Sequence, residues 1–317
     1  DLPKVNEPDE PSEDYQRFLG LCSHEYFHSW LVKYIRPENF VNYDLHKESY
    51  TSLLWIFEGF TSYYDDLLLL RSGVIDQAAY LELLKAQIDR YLQNPGRAIQ
   101  TVAESSFDAW VKFYRQDENS NHAGTSYYNK GCLVALCLDL GLRLRGSSLD
   151  ALMQKLYANA QQGIQVHERT IFELCKELTG DDWSEQIHHL INTTDELPLD
   201  QLLPEFGVDY QLKQDKSLPF GLKLADKPEG VLVQAAHREG AASKAGLSAH
   251  DVIVAIDGLK ATTKSLEQYA KQDAAYTVHA FRRDELMTFE VKAAQTELHE
   301  VELKLQDQAK VELWLKG

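Results

Sequence analysis

Two histidines and a glutamate near the start of the chain have the spacing of a metal-hydrolysis motif. His24 and His28 are four residues apart in an apolar stretch, LGLCSHEYFHSWLV, and Glu25 directly follows the first of them. Residues i and i+4 share one face of a helix, so both imidazoles can reach one cation while Glu25 holds a water beside it. The motif predicts one Zn²⁺ per chain, bound by His24 and His28, with Glu25 as the catalytic base.

A catalytic zinc site takes a third protein ligand and leaves one position open. The extended motif HExxHxxGxxH does not supply this ligand, because Leu31 and Tyr34 stand where it requires Gly and His. His46, in the polar stretch DLHKES, is one candidate. Glu58 is favoured, because it lies among large apolar residues in LLWIFEGF, where a buried carboxylate needs a partner such as a cation. An exposed or salt-bridged position is the alternative for Glu58.

The predicted site would hydrolyse a peptide bond. Zinc held in this way lowers the pKa of water toward neutrality, and Glu25 would take the proton and return it to the leaving amine. Asp65 lies two helical turns after Glu58 and could accept a hydrogen bond from a ligand. A solvated surface aspartate is the preferred interpretation of Asp65.

Six motifs occur around these residues in a specific order. They are HEYFHSW at 24–30, KYIRP at 33–37, WIFEGFTSYYDDLLLLRSG at 55–73, PGR at 95–97, AESSFDAWVKFYR at 103–115 and SYYNKG at 126–131. Over most of residues 15–205 the chain resembles the glycyl aminopeptidases, a gluzincin family of zinc metallopeptidases whose members commonly end in a PDZ domain.

The resemblance implies a function and further site residues. It implies His24, His28 and Glu58 as the ligand set, and removal of small N-terminal residues, Gly or Ala, from peptides. It aligns Tyr128 of YNKG with the tyrosine that donates to the oxyanion, a role that suits a phenol in a closed cleft. Tyr127 is the alternative donor, and a core aromatic is the alternative for both.

Some features of the resemblance are less complete. Leu31 and Tyr34 replace the Asn and Arg expected in a WNVKRIRP-like run. This difference affects contacts in the wall of the cleft and leaves the metal ligands unchanged. No mechanism follows from AESSFDAW, where Ser105 or Ser106 is interpreted as a helix N-cap.

Helices must position these residues. Apolar residues at three- and four-residue spacing predict helices around 15–34, 49–72, 76–93, 125–145, 148–161 and 168–178. After residue 202 the pattern changes, and short strands are predicted at 219–226, 230–236, 251–257, 276–283 and 286–292, with a helix at 265–272.

The predicted fold class is α+β and multidomain. A mainly α-helical, thermolysin-like catalytic portion covers 1–204, a small β-rich PDZ domain covers 205–295, and 296–317 form a tail expected to add a strand to the body. LPFGLKLAD and GAASKAGL resemble the PDZ domains of bacterial proteases. Phe220, Gly221 and Leu222 are predicted to bind a peptide carboxylate through their backbone amides. A domain that only packs on the catalytic part is the alternative, since His250 replaces the usual Gly before Asp251.

Composition limits the partners. A formal charge of −17 disfavours nucleic acid and acidic membranes, and no apolar run is long enough to span a bilayer. Peptide or protein substrates and a C-terminal peptide ligand of the PDZ domain are therefore the expected partners. The four cysteines lack metal-type spacing and are expected to be buried thiols, which mildly favours a reducing compartment.

The start of the chain bears on activity. The sequence DLPKVNEPDEPSED has neither an initiator Met nor the features of a signal peptide, and it is interpreted as the middle of a longer protein. The family's N-terminal β domain would then lie upstream. Three functions compete: an aminopeptidase, a zinc endopeptidase, and a PDZ peptide-binding module attached to an inactive peptidase portion.

Overall fold

The computed structural model describes residues 12–117 and 119–316, which form two compact units. Within the described residues, the helical unit comprises 12–116, 123–211 and 301–316. The β-rich unit comprises 117, 119–122 and 212–300. The predicted fold class, a helical portion followed by a β-rich portion, is confirmed.

The helices and strands follow one another in chain order. The α-helices are α1 (Glu13–Phe27), α2 (Leu54–Phe57), α3 (Gly59–Arg71), α4 (Gln77–Leu92), α5 (Val102–Phe107), α6 (Ser120–Ala123), α7 (Asn129–Arg143), α8 (Leu149–Gln161), α9 (Thr170–Thr179), α10 (Ser184–Asn192), α11 (Leu199–Glu205), α12 (Ala241–Lys244), α13 (Thr263–Tyr269) and α14 (Gln308–Leu315). The strands are β1 (Val208–Pro219), β2 (Leu222–Lys227), β3 (Gly230–Ala236), β4 (Val252–Ile256), β5 (Leu259–Lys260), β6 (Ala275–Arg282), β7 (Glu285–Lys292) and β8 (Gln295–Leu305). Short 3₁₀ helices cover Glu38–Phe40 and Pro95–Ala98, and a π-helix covers Ala109–Phe113.

Helix α1 is shorter than its apolar pattern predicts. It begins after Ser12, whose side chain accepts a hydrogen bond from the backbone N–H of Tyr15, and it ends at Phe27 instead of near residue 34. The chain then turns sharply, with Val32 at a φ of 85°, a conformation that a β-branched residue rarely adopts. The end of α1 leaves His28 at the C-cap, and Nε2 of its ring lies 3.3 Å from Oε2 of Glu58.

The predicted helix at 49–72 is two helices that meet at Glu58. Helix α2 ends at Phe57, and α3 begins at Gly59. Helices α3 and α7 pack against each other in the core, and α7 is buried along nearly its whole length. Because α7 has no solvent-facing side before Arg143, apolar residues occupy most positions of its sequence, NKGCLVALCLDLGLR.

A network of polar groups fixes α14 within the helical unit. Trp314 is fully buried and donates from its indole nitrogen to the hydroxyl of Tyr63 at 3.0 Å, and that hydroxyl donates to Asp139 at 2.7 Å. Arg71 and Arg143 donate to the backbone carbonyls of Leu315 and Leu313 in α14. The C-terminal residues therefore add both a strand, β8, and a helix to the chain.

In the β-rich unit, five strands lie in the order β2-β3-β4-β6-β7, and β5 also pairs with β4. All pairs are antiparallel. Strand β1 pairs with β8 in a separate two-stranded sheet. Within the described ranges, no helix has the length and apolar character needed to cross a membrane.

Candidate metal centre

Three side chains from two helical segments converge on one point. Glu58 Oε2 lies 3.3 Å from Nε2 of His24 and 3.3 Å from Nε2 of His28. One potential ligand atom from each residue lies within 4.8 Å of the others, and no other His, Cys, Asp or Glu cluster of this kind occurs among the described residues. Two imidazole nitrogens and one carboxylate oxygen in this arrangement match the donor set of catalytic zinc.

Each histidine is oriented by its second ring nitrogen. Nδ1 of His24 lies 3.1 Å from Oδ2 of Asp65, and Nδ1 of His28 lies 3.3 Å from the carbonyl oxygen of Leu31. Such contacts fix the tautomer and leave Nε2 free to bind a metal. Asp65 is only 17% exposed, so its interpretation as a solvated surface residue is wrong.

The electrostatics of the cluster favour a positive charge at its centre. Burial lowers the pKa of His24, but Asp65 and Glu58 outweigh this effect and raise the pKa to about 9. Burial likewise raises the pKa of Glu58, but hydrogen bonds with His24 and His28 outweigh it and lower the pKa to about 2. Two carboxylates around one imidazole thus favour a cation here, and the residues fit a zinc ion.

A cavity of about 530 Å³ opens beside the three converging side chains. Its lining residues are Leu21, His24, Glu25, His28, Glu58, Ser62, Asp65 and Tyr128. Glu25 is exposed on the cavity side of α1, so its carboxylate is accessible to a bound substrate. The cavity is polar where His24, Glu25, His28 and Glu58 line it.

Tyr127 and Tyr128 differ in exposure. Tyr128 lines the cavity and its ring centroid lies 6.1 Å from that of His24, whereas Tyr127 is fully buried. Burial, together with Glu58 and Tyr114, raises the pKa of Tyr128, so its phenol keeps its proton and can donate it in a hydrogen bond. The geometry therefore favours Tyr128 over Tyr127 as a group that can face a substrate.

His46 lies outside the converging cluster. It is exposed, and its backbone N–H donates to the side chain of Asp44. Since, among the described residues, only Glu58 joins His24 and His28 in such a cluster, the geometry favours Glu58 as the third ligand.

The AESSFDAW motif connects to the metal-site helices through its serines. Ser106 accepts a hydrogen bond from the backbone N–H of Trp55 at 3.0 Å, and Ser105 donates to the carbonyl of Thr125. The N-cap of α5 is Thr101, which forms a capping box with Glu104. The N-cap interpretation of Ser105 and Ser106 is therefore wrong. The two serines instead connect this motif to Trp55, three residues before Glu58, and to Thr125, three residues before Tyr128.

The predicted carboxylate loop of the β-rich unit already has internal hydrogen bonds. The backbone N–H of Phe220 donates to Ala294 at 2.8 Å, and that of Gly221 donates to Leu218 at 3.1 Å. A peptide carboxylate would have to displace these carbonyls. His250 has a φ of 70°, which explains why this position usually carries Gly.

The cysteines are free. Cys132, Cys137 and Cys175 are buried, as expected, whereas Cys22 is exposed on α1. Burial raises the pKa of all three buried thiols, so they remain protonated and act as small apolar groups.

Comparison with known families identifies the segment that carries the cluster. Residues 17–134 match the family model of the M61 glycyl aminopeptidases. This segment is therefore similar to the M61 glycyl aminopeptidases. The match includes His24, Glu25, His28, Glu58 and Tyr128, and it confirms the resemblance drawn from the motifs.

Solved structures extend the comparison beyond the glycyl aminopeptidase segment. The crystal structure of an aminopeptidase N family protein from Idiomarina loihiensis is 39% identical, with a TM-score of 0.90. The alignment covers 100% of this chain and 57% of that protein, so the chain spans little more than half of that protein's length. A serine endoprotease from Yersinia pestis matches 25% of the chain at 20% identity, with a TM-score of 0.21. No curated protein matches the chain.

Proposed function

We propose that the chain is a zinc-dependent aminopeptidase that removes small N-terminal residues, Gly or Ala, from peptides. The observation that carries this proposal is the convergence of His24, His28 and Glu58 on a cavity that Glu25 and Tyr128 also line. The family of the segment supports the aminopeptidase class. Its name supports glycine as the preferred N-terminal residue.

Each residue has a separate task in this proposal. His24, His28 and Glu58 would hold one zinc ion, which when bound supplies the Lewis acidity for attack by water near neutral pH. Glu25 accepts a proton from the attacking water and gives it to the leaving amine. Tyr128 donates a hydrogen bond to the oxygen of the scissile carbonyl as negative charge develops there. Asp65 keeps the ring of His24 in position.

The test compares free and blocked substrates on the zinc-loaded chain. We expect hydrolysis of Gly- and Ala-p-nitroanilide, no hydrolysis of the N-acetylated forms, and loss of activity on addition of o-phenanthroline. Glu25→Gln should retain its zinc and lose on the order of 10²- to 10⁴-fold in kcat, the usual contribution of a general base. Glu82→Gln, an exposed residue of α4, is the matched control. Equal cleavage of blocked substrates would favour an endopeptidase, and full activity in Glu25→Gln would refute the mechanism.

A second function, peptide binding by the β-rich unit, is favoured by one observation. Strand β2 lies at an end of its sheet, so in the described residues one edge of the strand pairs with no other strand of that sheet. Such an edge can accept an extended peptide by β-augmentation. Titration of C-terminal peptides onto the whole chain, read out on amides of 222–227 by NMR, tests this function. Shifts that need a free carboxylate would support the predicted role of Phe220, Gly221 and Leu222.

A further inference from the structure

Exposed aromatic rings continue from the cavity along the AESSFDAWVKFYR segment. Tyr114, Trp110 and Phe107 are 64%, 46% and 51% exposed, and Tyr50 is 38% exposed. We call these four residues the aromatic strip. All four belong to the helical unit. Large apolar side chains exposed together usually mark a surface that binds something.

The aromatic strip is continuous with the candidate active site. The hydroxyl of Tyr127 lies 3.4 Å from that of Tyr114, and the ring centroid of Tyr127 lies 4.8 Å from that of Tyr128. Phe113 packs beneath, with its ring centroid 4.7 Å from Tyr127 and 5.5 Å from Tyr128. Tyr114, at one end of the strip, is therefore connected through Tyr127 and Phe113 to Tyr128, the residue that would contact the scissile carbonyl.

Contacts with neighbouring groups orient three of the four rings of the strip. Trp110 lies in the π-helix Ala109–Phe113, and its indole N–H donates to the carbonyl of Ser49 at 3.3 Å. Tyr50, the next residue, packs against Phe107 with the two rings tilted and their centroids 5.2 Å apart. π-helical turns occur frequently at functional sites, because the wider turn redirects side chains. A rigid aromatic surface loses little conformational entropy when it binds a ligand.

We infer that the aromatic strip binds the part of a peptide substrate that follows the scissile bond. This inference rests on the proposed function. An aminopeptidase accepts only one residue on the amine side of that bond, so a surface several residues long beside Tyr128 must contact the leaving side. Alternate side chains of an extended peptide are spaced at about 6.6 Å. The ring centroids of Trp110 and Tyr114 are 6.4 Å apart, which suits two such side chains.

The substrate class follows from the chemistry of the strip. Four aromatic rings favour large apolar side chains, which bury apolar area against them. Preferred substrates are therefore peptides of at least four residues with Gly or Ala first and an aromatic or large aliphatic residue among the next three. Dipeptides and anilides end before they reach Trp110 and should be insensitive to it.

The test uses three substrates on the zinc-loaded 317-residue chain: Gly-Phe-Ala-Phe amide, Gly-Gly-Ala-Gly amide and Gly-p-nitroanilide. Trp110→Ala should raise the KM for the aromatic peptide about tenfold, the effect of losing one buried apolar contact. It should change kcat for this peptide, and both kcat and KM for the other two substrates, by less than about twofold. Tyr157→Ala, an aromatic residue of similar exposure on α8, is the matched control and should change none of them. An equal change in KM for all three substrates in Trp110→Ala, or no change in KM for the aromatic peptide, would overturn the inference.

Two further measurements test the inference if Trp110→Ala does not fold or if no peptide is hydrolysed. If Trp110→Ala fails to unfold cooperatively, Phe107→Ala at the far end of the strip replaces it, with the same expected result. Calorimetric affinities of Glu25→Gln, with and without Trp110→Ala, report binding without turnover. If no peptide is hydrolysed but Gly-Phe-Ala-Phe amide binds about tenfold more weakly without Trp110, the proposed function fails, whereas peptide binding by the aromatic strip is supported. Affinity independent of Trp110 would overturn the inference and indicate that the strip contacts another protein surface.

Discussion

Gly59 and Gly131 lie in direct backbone contact. A Cβ added to Gly59 would be 2.5 Å from the carbonyl carbon of Gly131, and one added to Gly131 would be 2.9 Å from the Cα of Gly59. Gly59 follows Glu58, and Gly131 lies three residues after Tyr128. The close approach of α3 and α7 at these glycines therefore sets the distance between the candidate third ligand and the candidate oxyanion donor.

Replacing Gly59 by Ala should separate the two helices. The new methyl group would meet backbone atoms, which cannot move aside as a flexible side chain can, and we expect a loss of about 3 kcal/mol in the free energy of unfolding. Peptidase activity should fall more than zinc affinity, because Tyr128 moves relative to the ligands. Urea unfolding, zinc titration and kcat/KM measure the three effects.

Gly20→Ala is the matched control for that substitution. Gly20 is also buried and helical, but its added Cβ would lie 3.4 Å from a side-chain oxygen of Asp66, an ordinary contact. Because Ala is the better helix former, this variant should be neutral or up to about 1 kcal/mol more stable. Equal losses in both variants would show that the contact between α3 and α7 has no special role.

Removing one candidate ligand should remove the metal. Glu58→Ala takes away the carboxylate that both imidazoles approach at 3.3 Å, and we expect zinc content to fall from about one ion per chain to nearly none after gel filtration. His46→Ala should retain a full zinc complement. Elemental analysis of both variants decides between the two third ligands, and full occupancy in Glu58→Ala would disprove the assignment of Glu58.

Asp65→Asn tests the contact that orients His24. The amide retains the size of the carboxylate but loses its charge, so zinc affinity should fall about 10- to 100-fold, as for other partners of ligating histidines. Competition with a fluorescent chelator measures it. Asp66→Asn, the neighbouring carboxylate, is the control and should change affinity by less than about threefold. A similar loss in both variants would indicate a general charge effect instead of a specific hydrogen bond.

Local spacing predicted which candidate ligands converge better than it predicted the bounds of the helices. His24 and His28 are only four residues apart, so their spacing depends on about one turn of helix. It does not depend on how far α1 continues beyond His28. The break at Glu58 and the strained turn at Val32 depend on packing between segments, and the apolar pattern continues through both of them. Periodicity therefore predicted one helix where there are two, and it extended α1 by about two turns.

Long-range contacts explain the remaining differences. Asp65 appeared to be a surface residue because nothing near it in sequence indicates that His24, 41 positions earlier, is its partner. Helix α14 follows a strand and ends the chain, and its burial depends on Tyr63 and on arginines of other helices. Likewise, Ser106 contacts Trp55 across 51 residues. A family resemblance can flag such motifs, but only the fold shows what they contact.

Lys130 predicts a pH dependence of stability. It is fully buried on α7, and its ammonium donates to the carbonyl of Thr193 at 3.3 Å. Burial lowers the pKa of this lysine to about 8, and Glu196 offsets only part of the effect. The unfolded chain, with its ordinary pKa of 10.5, therefore binds more protons between pH 8 and 10.5, and the stability contributed by this group rises with pH across that window.

Comparison with Lys130→Met isolates this contribution from the tyrosines that also titrate at high pH. The difference in the free energy of unfolding, parent minus variant, should increase by up to about 3 kcal/mol from pH 8 to pH 10.5, since each unit of pKa shift corresponds to ~1.4 kcal/mol. Urea unfolding at several pH values measures it. Lys47→Met, which replaces a 79% exposed lysine, should give a constant difference over the same range. A constant difference for Lys130→Met would mean that Lys130 keeps its ordinary pKa in the folded chain and that its ammonium is well solvated there.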